Sequence, residues 1–223
     1  MKPAEKLKSK EEKKPALKID WATHEAAKYA CENWHYTGKI PVNKLVKIGV
    51  WEDEIFKGVV IFGVGASAVI HHQFGLTRFE VCELVRVALT EHRTEVSRII
   101  SISLRFLRRA NPKLRVCVSF ADPNQGHHGG IYQAGNWIFT GSSSPTHEYR
   151  FNGAWRHVTD VYKRLSPEQV KRLPKRSKPG KLRYVYPFDE EVRERVERTR
   201  KDYPKRAESK DAVASGSQPE EDA

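Results

Sequence analysis

The sequence predicts an α/β domain with a mixed central sheet flanked by helices, and three observations carry that prediction. Residues 45–64 form two β-rich runs around the acidic turn at Glu52, Asp53 and Glu54, which is a hairpin pattern. Residues 81–89 are nearly continuous apolar sequence rich in valine, typical of a strand buried on both faces. A basic amphipathic helix and further apolar strands follow, and such a series implies a layered sheet with right-handed crossovers.

Each predicted element has a local signal. A helix is expected at about 23–33, since small apolar residues recur at helical spacing behind the N-cap residue Thr23, and Gly38 and Pro41 stop it. A second helix is expected at 97–110, where apolar and arginine side chains take opposite faces. The other expected elements are strands at 113–122, 137–141 and 183–188 and a short helix within 126–137, whereas 65–80 is too irregular for either.

The ends of the chain differ in composition from this domain. Residues 1–18 alternate Lys and Glu with few apolar groups, and 207–223 are small, polar and acidic, so both are expected to be disordered tails. The domain is expected over 19–188. Residues 189–206 carry charges on every face and are expected to form a solvated helix rather than a packed one.

Charge and cysteine content limit the classes of function. The chain has 223 residues and a net charge of +12, which favours polyanionic partners such as nucleic acid. No run is long and apolar enough for a membrane span, and the basic N-terminus lacks the apolar stretch of a signal peptide, so we expect a cytoplasmic protein. The three cysteines Cys31, Cys82 and Cys117 have neither disulfide nor zinc-knuckle spacing, and each is most simply a small buried hydrophobe.

A basic segment near the C-terminus is the first candidate for nucleic-acid contact. Prolines are expected to keep it extended, which suits it to follow a phosphate backbone, although such charge runs are usually only solvated. Its candidate residues are Lys171, Arg172, Lys175, Arg176, Lys178 and Lys181.

The richest polar stretch is SFADPNQGHHGGIYQAGNW, residues 119–137, after the strand predicted at 113–122. Ligands commonly bind beyond the carboxyl ends of strands in such sheets. A capped turn explains Asp122 and Asn124 but not His127 or Tyr132. A carboxylate at Asp122 could accept a proton from an amine and a phenol at Tyr132 could give one to a leaving group, although packing on the sheet explains Tyr132 equally well.

Two further clusters compete for a functional role. His35 and Tyr36 follow the first helix at a break where side chains often serve function. Glu83 and Arg86 interrupt an apolar strand, so they either pair internally or face a polar crevice, where Arg86 could hold a phosphate or a developing negative charge. The histidine spacing does not favour metal, and no metal site is expected, although a site assembled with His35 or with the pair at 71–72 stays open.

Four segments together resemble the Mom DNA-modification proteins of phage Mu and its relatives, over roughly residues 20–186. They are WHYTGKIP, CELVRVALTEHRTEVSRIISISLRFL, SFADPNQGHHGGIYQAGNWIFTG and YRFNGAWRHV. The resemblance implies a GNAT-type acyltransferase fold and conversion of adenine in phage DNA to a carbamoylmethyl derivative, which protects the DNA from restriction in a bacterial host cell. By motif match it places the functional residues at His35, Tyr36, Arg86, Ser97, Asp122 and Tyr132.

The resemblance also directs attention to the donor. In the GNAT fold a glycine-containing loop cradles the pyrophosphate of acyl coenzyme A, but residues 93–98 contain no glycine. Arg93, Ser97 and Arg98, with Asn124, remain side-chain candidates for donor binding. The product contains an amide nitrogen that an acetyl group would not supply, so glycyl-tRNA is favoured as donor over acyl coenzyme A.

Two other classes of function stay open at this point. A non-catalytic nucleic-acid-binding protein would use the polar residues only as turns, caps and ion pairs. A conventional acetyltransferase would use acetyl coenzyme A on a protein or a small amine.

Overall fold

The computed structural model describes residues 14–42, 44–64 and 70–206. Most of the first predicted tail and all of the second lie outside these ranges. The ten strands within the described ranges are β1 (Leu17–Trp21), β2 (Leu45–Glu52), β3 (Ile55–Gly63), β4 (Val81–Leu89), β5 (Val116–Ala121), β6 (Ile138–Ser142), β7 (Thr146–Phe151), β8 (Ala154–His157), β9 (Lys175–Lys178) and β10 (Leu182–Pro187). The same residues contain six α-helices, α1 (His24–Trp34), α2 (Val96–Ala110), α3 (Gly130–Gln133), α4 (Val158–Tyr162), α5 (Pro167–Lys171) and α6 (Glu190–Glu197).

Seven strands form the central sheet in the order β1-β2-β3-β4-β5-β10-β6. Every neighbouring pair is antiparallel except β4 and β5, which are parallel and joined through helix α2. The predicted mixed sheet flanked by helices is therefore confirmed.

Helices cover both faces of this sheet. Helix α2 buries Ile99, Ile100, Leu104 and Leu107 in the largest hydrophobic cluster, and each such side chain contributes about 1.5–3 kcal/mol by leaving water. Separate clusters contain the buried residues of α1 and of α6. Helix α1 begins after its predicted N-cap Thr23, whose side chain accepts from the Ala26 N–H.

The parallel pair β4/β5 opens before either strand ends. Pairing stops at Leu84 and Ser119, although β4 continues to Leu89 and β5 to Ala121. At the same point the β3/β4 register skips Val85, which is a β-bulge. The bulge reverses the alternation, because Leu84 packs with the α2 cluster whereas Ala88 packs with the α1 cluster. Arg86, two residues before Ala88, consequently lies on the α1 face beside the opening.

A smaller sheet of order β8-β7-β9 follows the central one. Strands β7 and β8 form a hairpin whose turn residues Asn152 and Gly153 both have positive φ, as a tight two-residue turn requires. The sequence interpretation predicted neither strand. The basic segment was expected to be extended, which is wrong for Lys171 because it ends helix α5, whereas residues 175–178 are extended as strand β9.

Two predicted boundaries are wrong. Leu17 and Lys18 belong to β1, so the predicted tail at 1–18 is too long. Helix α6 is packed rather than solvated, because Val192 and Val196 are fully buried against the sheet. Arg115 also binds Asp189 at the start of this helix through two hydrogen bonds of 2.8 Å. Helix α6 therefore belongs to the domain that was expected to end at 188.

Candidate active site

Asp122 lies at the end of β5, at the opening between the two parallel strands. Its Oδ1 accepts hydrogen bonds from the backbone N–H and the side-chain amide of Asn124, at 3.0 and 2.9 Å. Its Oδ2 lies 3.9 Å from the Lys181 ammonium group and forms no hydrogen bond with the described residues. One carboxylate oxygen therefore builds the predicted turn, while the other faces the Lys181 ammonium group.

Arg86 occupies the facing strand with its hydrogen-bonding capacity incompletely used. Its Nη1 donates to the carbonyl of Val85 in the bulge at 2.8 Å. Its Nε is buried and has no hydrogen-bond partner in the described part of the chain. A buried cationic donor without a partner is costly and commonly marks a ligand site. Its charge contributes to lowering the pKa of His35 and opposes the rise in the pKa of Tyr36.

His35 and Tyr36 follow helix α1 and meet the loop after β5. The two rings lie 4.4 Å apart between centroids, and Tyr36 meets the edge of His127 at 5.4 Å. Burial, followed by the charges of Arg86 and His127, lowers the pKa of His35 to about 4. The Nδ1 atom of His35 accepts from the Thr37 N–H at 3.2 Å, so the neutral ring carries its proton on Nε2.

Tyr36 is the exposed phenol of the cluster. It is 53% exposed. Burial of part of the ring and the charge of Asp122 raise the pKa of Tyr36, while Arg86 opposes them. The phenol is therefore influenced by both the carboxylate and the guanidinium, and it stays protonated at neutral pH.

Tyr132 is built into the floor of the opening. It is 8% exposed, and its ring packs 5.1 Å from Trp137 and 5.0 Å from Tyr184. Its hydroxyl lies 2.8 Å from the Ser119 hydroxyl, which in turn lies 2.9 Å from the carbonyl of Leu84. Since that carbonyl can only accept, making both bonds requires Ser119 to donate to Leu84 and Tyr132 to donate to Ser119. Burial raises the pKa of Tyr132 to about 12.

The loop before α2, where a donor phosphate was expected, is occupied by an internal carboxylate. Glu52, only 2% exposed, accepts from the backbone N–H of Arg93 at 2.9 Å and of Thr94 at 2.6 Å. Burial raises the pKa of Glu52, but hydrogen bonds from Thr94 and Arg93 outweigh it and keep the group ionised. Arg93 also pairs with Asp53.

The structure brings His35, Tyr36, Arg86 and Asp122 together, with Tyr132 beneath them. The predicted donor residues separate into two groups. Asn124 is bound to Asp122, whereas Arg93, Ser97 and Arg98 lie in or just after the loop that Glu52 occupies. Sequence reasoning missed Glu52 and Ser119, because the hydrogen bonds that reveal them join residues far apart in the chain.

The predicted nucleic-acid residues also differ in their surroundings. Lys181 faces Asp122, while Arg176 and Lys178 both bind the carboxylate of Glu148, at 2.6 and 3.0 Å. The others, Lys171, Arg172 and Lys175, form no ion pair with a described carboxylate and are exposed. Arg176 and Lys178 are therefore less free to contact phosphates than an extended loop would leave them.

Within residues 14–42, 44–64 and 70–206, no group of three or more His, Cys, Asp and Glu side chains is arranged to hold a metal ion. In the same ranges, no helix is long and apolar enough to cross a membrane.

Fold and site define an α/β protein with a carboxylate, a guanidinium and a phenol gathered where a parallel strand pair opens. The chain belongs to the Mom protein family, whose profile matches residues 16–205, which confirms the resemblance. It is 28% identical over 145 residues to the methylcarbamoylase Mom of Escherichia phage Mu. That match covers 63% of this chain and 60% of the phage protein, which is less than two thirds of the latter.

The fold is also similar to a solved structure. A candidate acetyltransferase from Sphaerobacter thermophilus DSM 20745 matches over 77% of this chain and 92% of that chain, with a TM-score of 0.39 and 9% sequence identity.

Proposed function

We propose that this protein is a GNAT-type transferase that adds a carbamoylmethyl group to N6 of adenine in phage DNA and so protects that DNA from restriction in a bacterial cytoplasm. Membership of the Mom family and the name of the phage Mu relative, a methylcarbamoylase, support this. The observation that carries the proposal is the opening between β4 and β5. There Arg86 keeps a buried Nε that has no partner among the described residues, and the Oδ2 of Asp122, which faces Lys181, accepts no hydrogen bond from those residues.

Asp122 is the proposed base for the acceptor. An exocyclic amine becomes a better nucleophile when a carboxylate takes its proton as the new bond forms. Asn124 fixes Asp122 through Oδ1, which leaves Oδ2 for this task. Lys181, whose ammonium lies 3.9 Å from this oxygen, provides positive charge that attracts DNA phosphates to the carboxylate's side of the opening.

Arg86 is the proposed stabiliser of the acyl oxygen. Attack on an acyl carbon places negative charge on the carbonyl oxygen, and a fixed cationic donor stabilises that charge. The bond from Nη1 to Val85 holds the guanidinium in place, while Nε has no hydrogen-bond partner among the residues that the structure describes. The buried donor would then be satisfied in the transition state.

Tyr36 is a better proton donor for the leaving group than Tyr132. Its phenol is exposed beside both Asp122 and Arg86, whereas the Tyr132 hydroxyl is engaged with Ser119. Tyr132 would instead have a structural role at the opening. Through Ser119 and the carbonyl of Leu84, it links helix α3 to the last paired residues of β5 and β4. His35, with its proton on Nε2, would orient the base or donate a hydrogen bond to it.

Glycyl-tRNA is the proposed donor. Attack of the adenine N6 on the aminoacyl ester forms an amide and releases the ribose hydroxyl of the tRNA. The glycyl α-amine then attacks C6 through a five-membered ring, and cleavage of the original C6–N6 bond leaves a carbamoylmethyl group with the former N6 as its amide nitrogen. The ester supplies the activation, so no further co-reactant is required.

The loop before α2 supports this choice over acyl coenzyme A. An anionic carboxylate already binds two of its backbone amides, and a pyrophosphate placed there would meet like charge. Ser97, Arg98 and Arg93 would contact the tRNA backbone through their side chains. The exposed cations Lys171, Arg172 and Lys175 are proposed contacts to nucleic acid on the other side of the crevice.

The exocyclic amine of a paired adenine cannot reach such a crevice, so the base must be flipped or unpaired. The aromatic cluster of His35, Tyr36 and His127 offers surfaces on which the extruded base could stack.

A reconstituted reaction with DNA and each donor in turn tests the proposal. Glycyl-tRNA should yield modified adenine and acetyl coenzyme A should not, as measured by nucleoside mass spectrometry. DNA that carries heavy nitrogen at adenine N6 should place that label in the side-chain amide of the product. A product with the label still on C6 would refute the rearrangement, and modification by acetyl coenzyme A alone would refute the proposed donor.

A further inference from the structure

One face of the smaller sheet combines an exposed tryptophan with arginines. In the β7/β8 pairing Arg150 lies opposite Trp155, and in the β7/β9 pairing Glu148 lies opposite Arg176. Residues directly opposite each other share a face of the sheet, and so do Glu148 and Arg150, which are two positions apart on β7. Arg150, Trp155 and Arg176 therefore lie on one side of the sheet. We name these three residues the Trp155 platform. None of the three residues belongs to the predicted active site. Of the three, only Arg176 was predicted from the sequence as a candidate for nucleic-acid contact.

The platform is held in a fixed arrangement. The guanidinium of Arg176 lies over the Trp155 ring at 4.5 Å from its centroid, and Trp155 is 37% exposed. Arg176 donates from Nε and Nη2 to one oxygen of Glu148, at 2.8 and 2.6 Å. The hydrogen bonds to Glu148 and the stacking on Trp155 together fix the planar guanidinium of Arg176. The surface is therefore largely preformed.

The charge of this face indicates the type of partner. Glu148 pairs with Arg176 and Lys178, and Arg150, two residues along β7 on the same face, has no described ion-pair partner, so the described part of this surface is positive on balance. An aromatic ring among such cations suits an unpaired nucleic-acid base with its phosphates, since every base offers a flat face for stacking. A paired duplex offers no such face along its length.

The position of the smaller sheet in the fold favours DNA over tRNA as the nucleic acid bound by the Trp155 platform. Lys181 follows three residues after the end of β9 at Lys178, and its ammonium faces Asp122, the proposed acceptor base. The loop whose side chains are proposed to contact the donor tRNA follows β4 and binds Glu52 of β2, and both strands lie on the opposite side of β5 from β10 in the strand order. The smaller sheet thus adjoins the acceptor side of the crevice.

We propose that the Trp155 platform binds the DNA strand beside the target adenine, with an unpaired neighbouring base stacked on Trp155 and its phosphates contacted by Arg150. The inference rests on the proposed function for the identity of the nucleic acid. Extrusion of an adenine leaves adjacent bases partly unstacked, and the platform would stabilise that state of the DNA.

The test measures binding without turnover. A fluorescently labelled single-stranded DNA oligonucleotide is titrated with the full-length protein in the absence of donor, and an uncharged tRNA is titrated in parallel at the same salt concentration. Trp155→Leu should weaken DNA binding about tenfold, while Trp155→Phe should retain most of the affinity. Trp21→Leu is the matched control, because Trp21 is 51% exposed on the far edge strand β1. Thermal unfolding of each variant checks the fold.

The outcomes separate this inference from the proposed function. Equal DNA affinity of the Leu, Phe and wild-type proteins would overturn the platform, whether or not adenine is modified. A loss confined to tRNA would overturn the assignment to DNA. A DNA-specific loss in Trp155→Leu supports the platform even if the wild-type protein modifies no adenine, in which case only the proposed function fails.

Discussion

Two regions at the same edge of the central sheet differ in how their polar groups are satisfied. At the opening of β4 and β5, Arg86 keeps a buried nitrogen and Asp122 keeps one carboxylate oxygen that form no hydrogen bond within the described part of the chain. In the loop before α2, Glu52 binds two backbone amides and Arg93 pairs with Asp53. Buried polar groups are normally paired, so the unpaired ones indicate where a ligand completes the structure.

The comparison separates function from stability. Changes at the opening should lower the rate and leave the fold nearly intact. Changes in the loop should lower stability and leave the chemical step nearly intact. The predictions below test this contrast.

The largest effect is expected at the carboxylate. Asp122→Asn keeps the bonds to Asn124 in part but removes the proton acceptor, so the single-turnover rate of adenine modification should fall about 1000-fold. Quenched-flow nucleoside analysis measures the rate. Asp20→Asn, on exposed strand β1, is the control and should react like wild type. A fall of only a few-fold in Asp122→Asn would remove Asp122 as the base.

Arg86→Lys should lower the same rate about 100-fold, since the lysine keeps a charge but lacks the buried Nε donor. The KM for DNA should change little if Arg86 acts on the acyl oxygen. A large rise in KM with an unchanged kcat would show that Arg86 binds substrate rather than stabilises the transition state.

The two phenols should respond in opposite ways. Tyr36→Phe removes an exposed hydroxyl and should lower the rate at least tenfold with unchanged stability. Tyr132→Phe breaks the bond to Ser119 and should cost about 1 kcal/mol in the free energy of unfolding, with a rate within a few-fold of wild type. Urea unfolding and single-turnover rates on both variants decide the matter. The reverse pattern would return the proton donor role to Tyr132.

Glu52→Gln should destabilise the protein by about 1–3 kcal/mol, because a buried charged acceptor of two amide bonds is replaced by a neutral one. Glu54→Gln in the same turn is the matched control, since its side chain is 84% exposed, and it should unfold like wild type. A stable Glu52→Gln protein would show that the carboxylate does not hold the loop.

The smallest effect concerns pH. The pKa of His35 is about 4 in the folded protein against an ordinary value near 6.5. The unfolded chain therefore binds a proton first as the pH falls, and the contribution of His35 to stability declines from about pH 6.5 to pH 4. The ring stays neutral at pH 5.5. An NMR titration should show this, and Arg86→Met should raise the His35 pKa because a neighbouring charge is lost.

Much of the fold could be predicted because its signals are local. The apolar run at 81–89 matches strand β4, and the predicted helix at 97–110 matches α2 within one residue. Helix α6 was misjudged because two valines four residues apart suffice to pack a short helix. The β7/β8 hairpin had a usable signal in Asn152 and Gly153, a dipeptide typical of tight hairpins.

The candidate site could be predicted only as a set of residues. Motif and strand-end reasoning found Asp122, Arg86, His35 and Tyr36, and the structure places them together. The bulge at Val85 has no sequence signature, yet it sets the face on which Arg86 lies. Ser119 bonds to a residue 35 positions away in the chain, and Glu52 bonds to one 42 positions away. No local sequence pattern encodes hydrogen bonds over such separations.

The most direct test of the opening as the catalytic centre is nucleoside mass spectrometry of DNA from bacterial cells that express the protein. Cells with the wild-type protein should contain carbamoylmethylated adenine. Cells that express the double variant Asp122→Asn/Arg86→Lys at the same protein level should contain no modified adenine. Modified adenine at the same level in both, or in neither, would contradict the account.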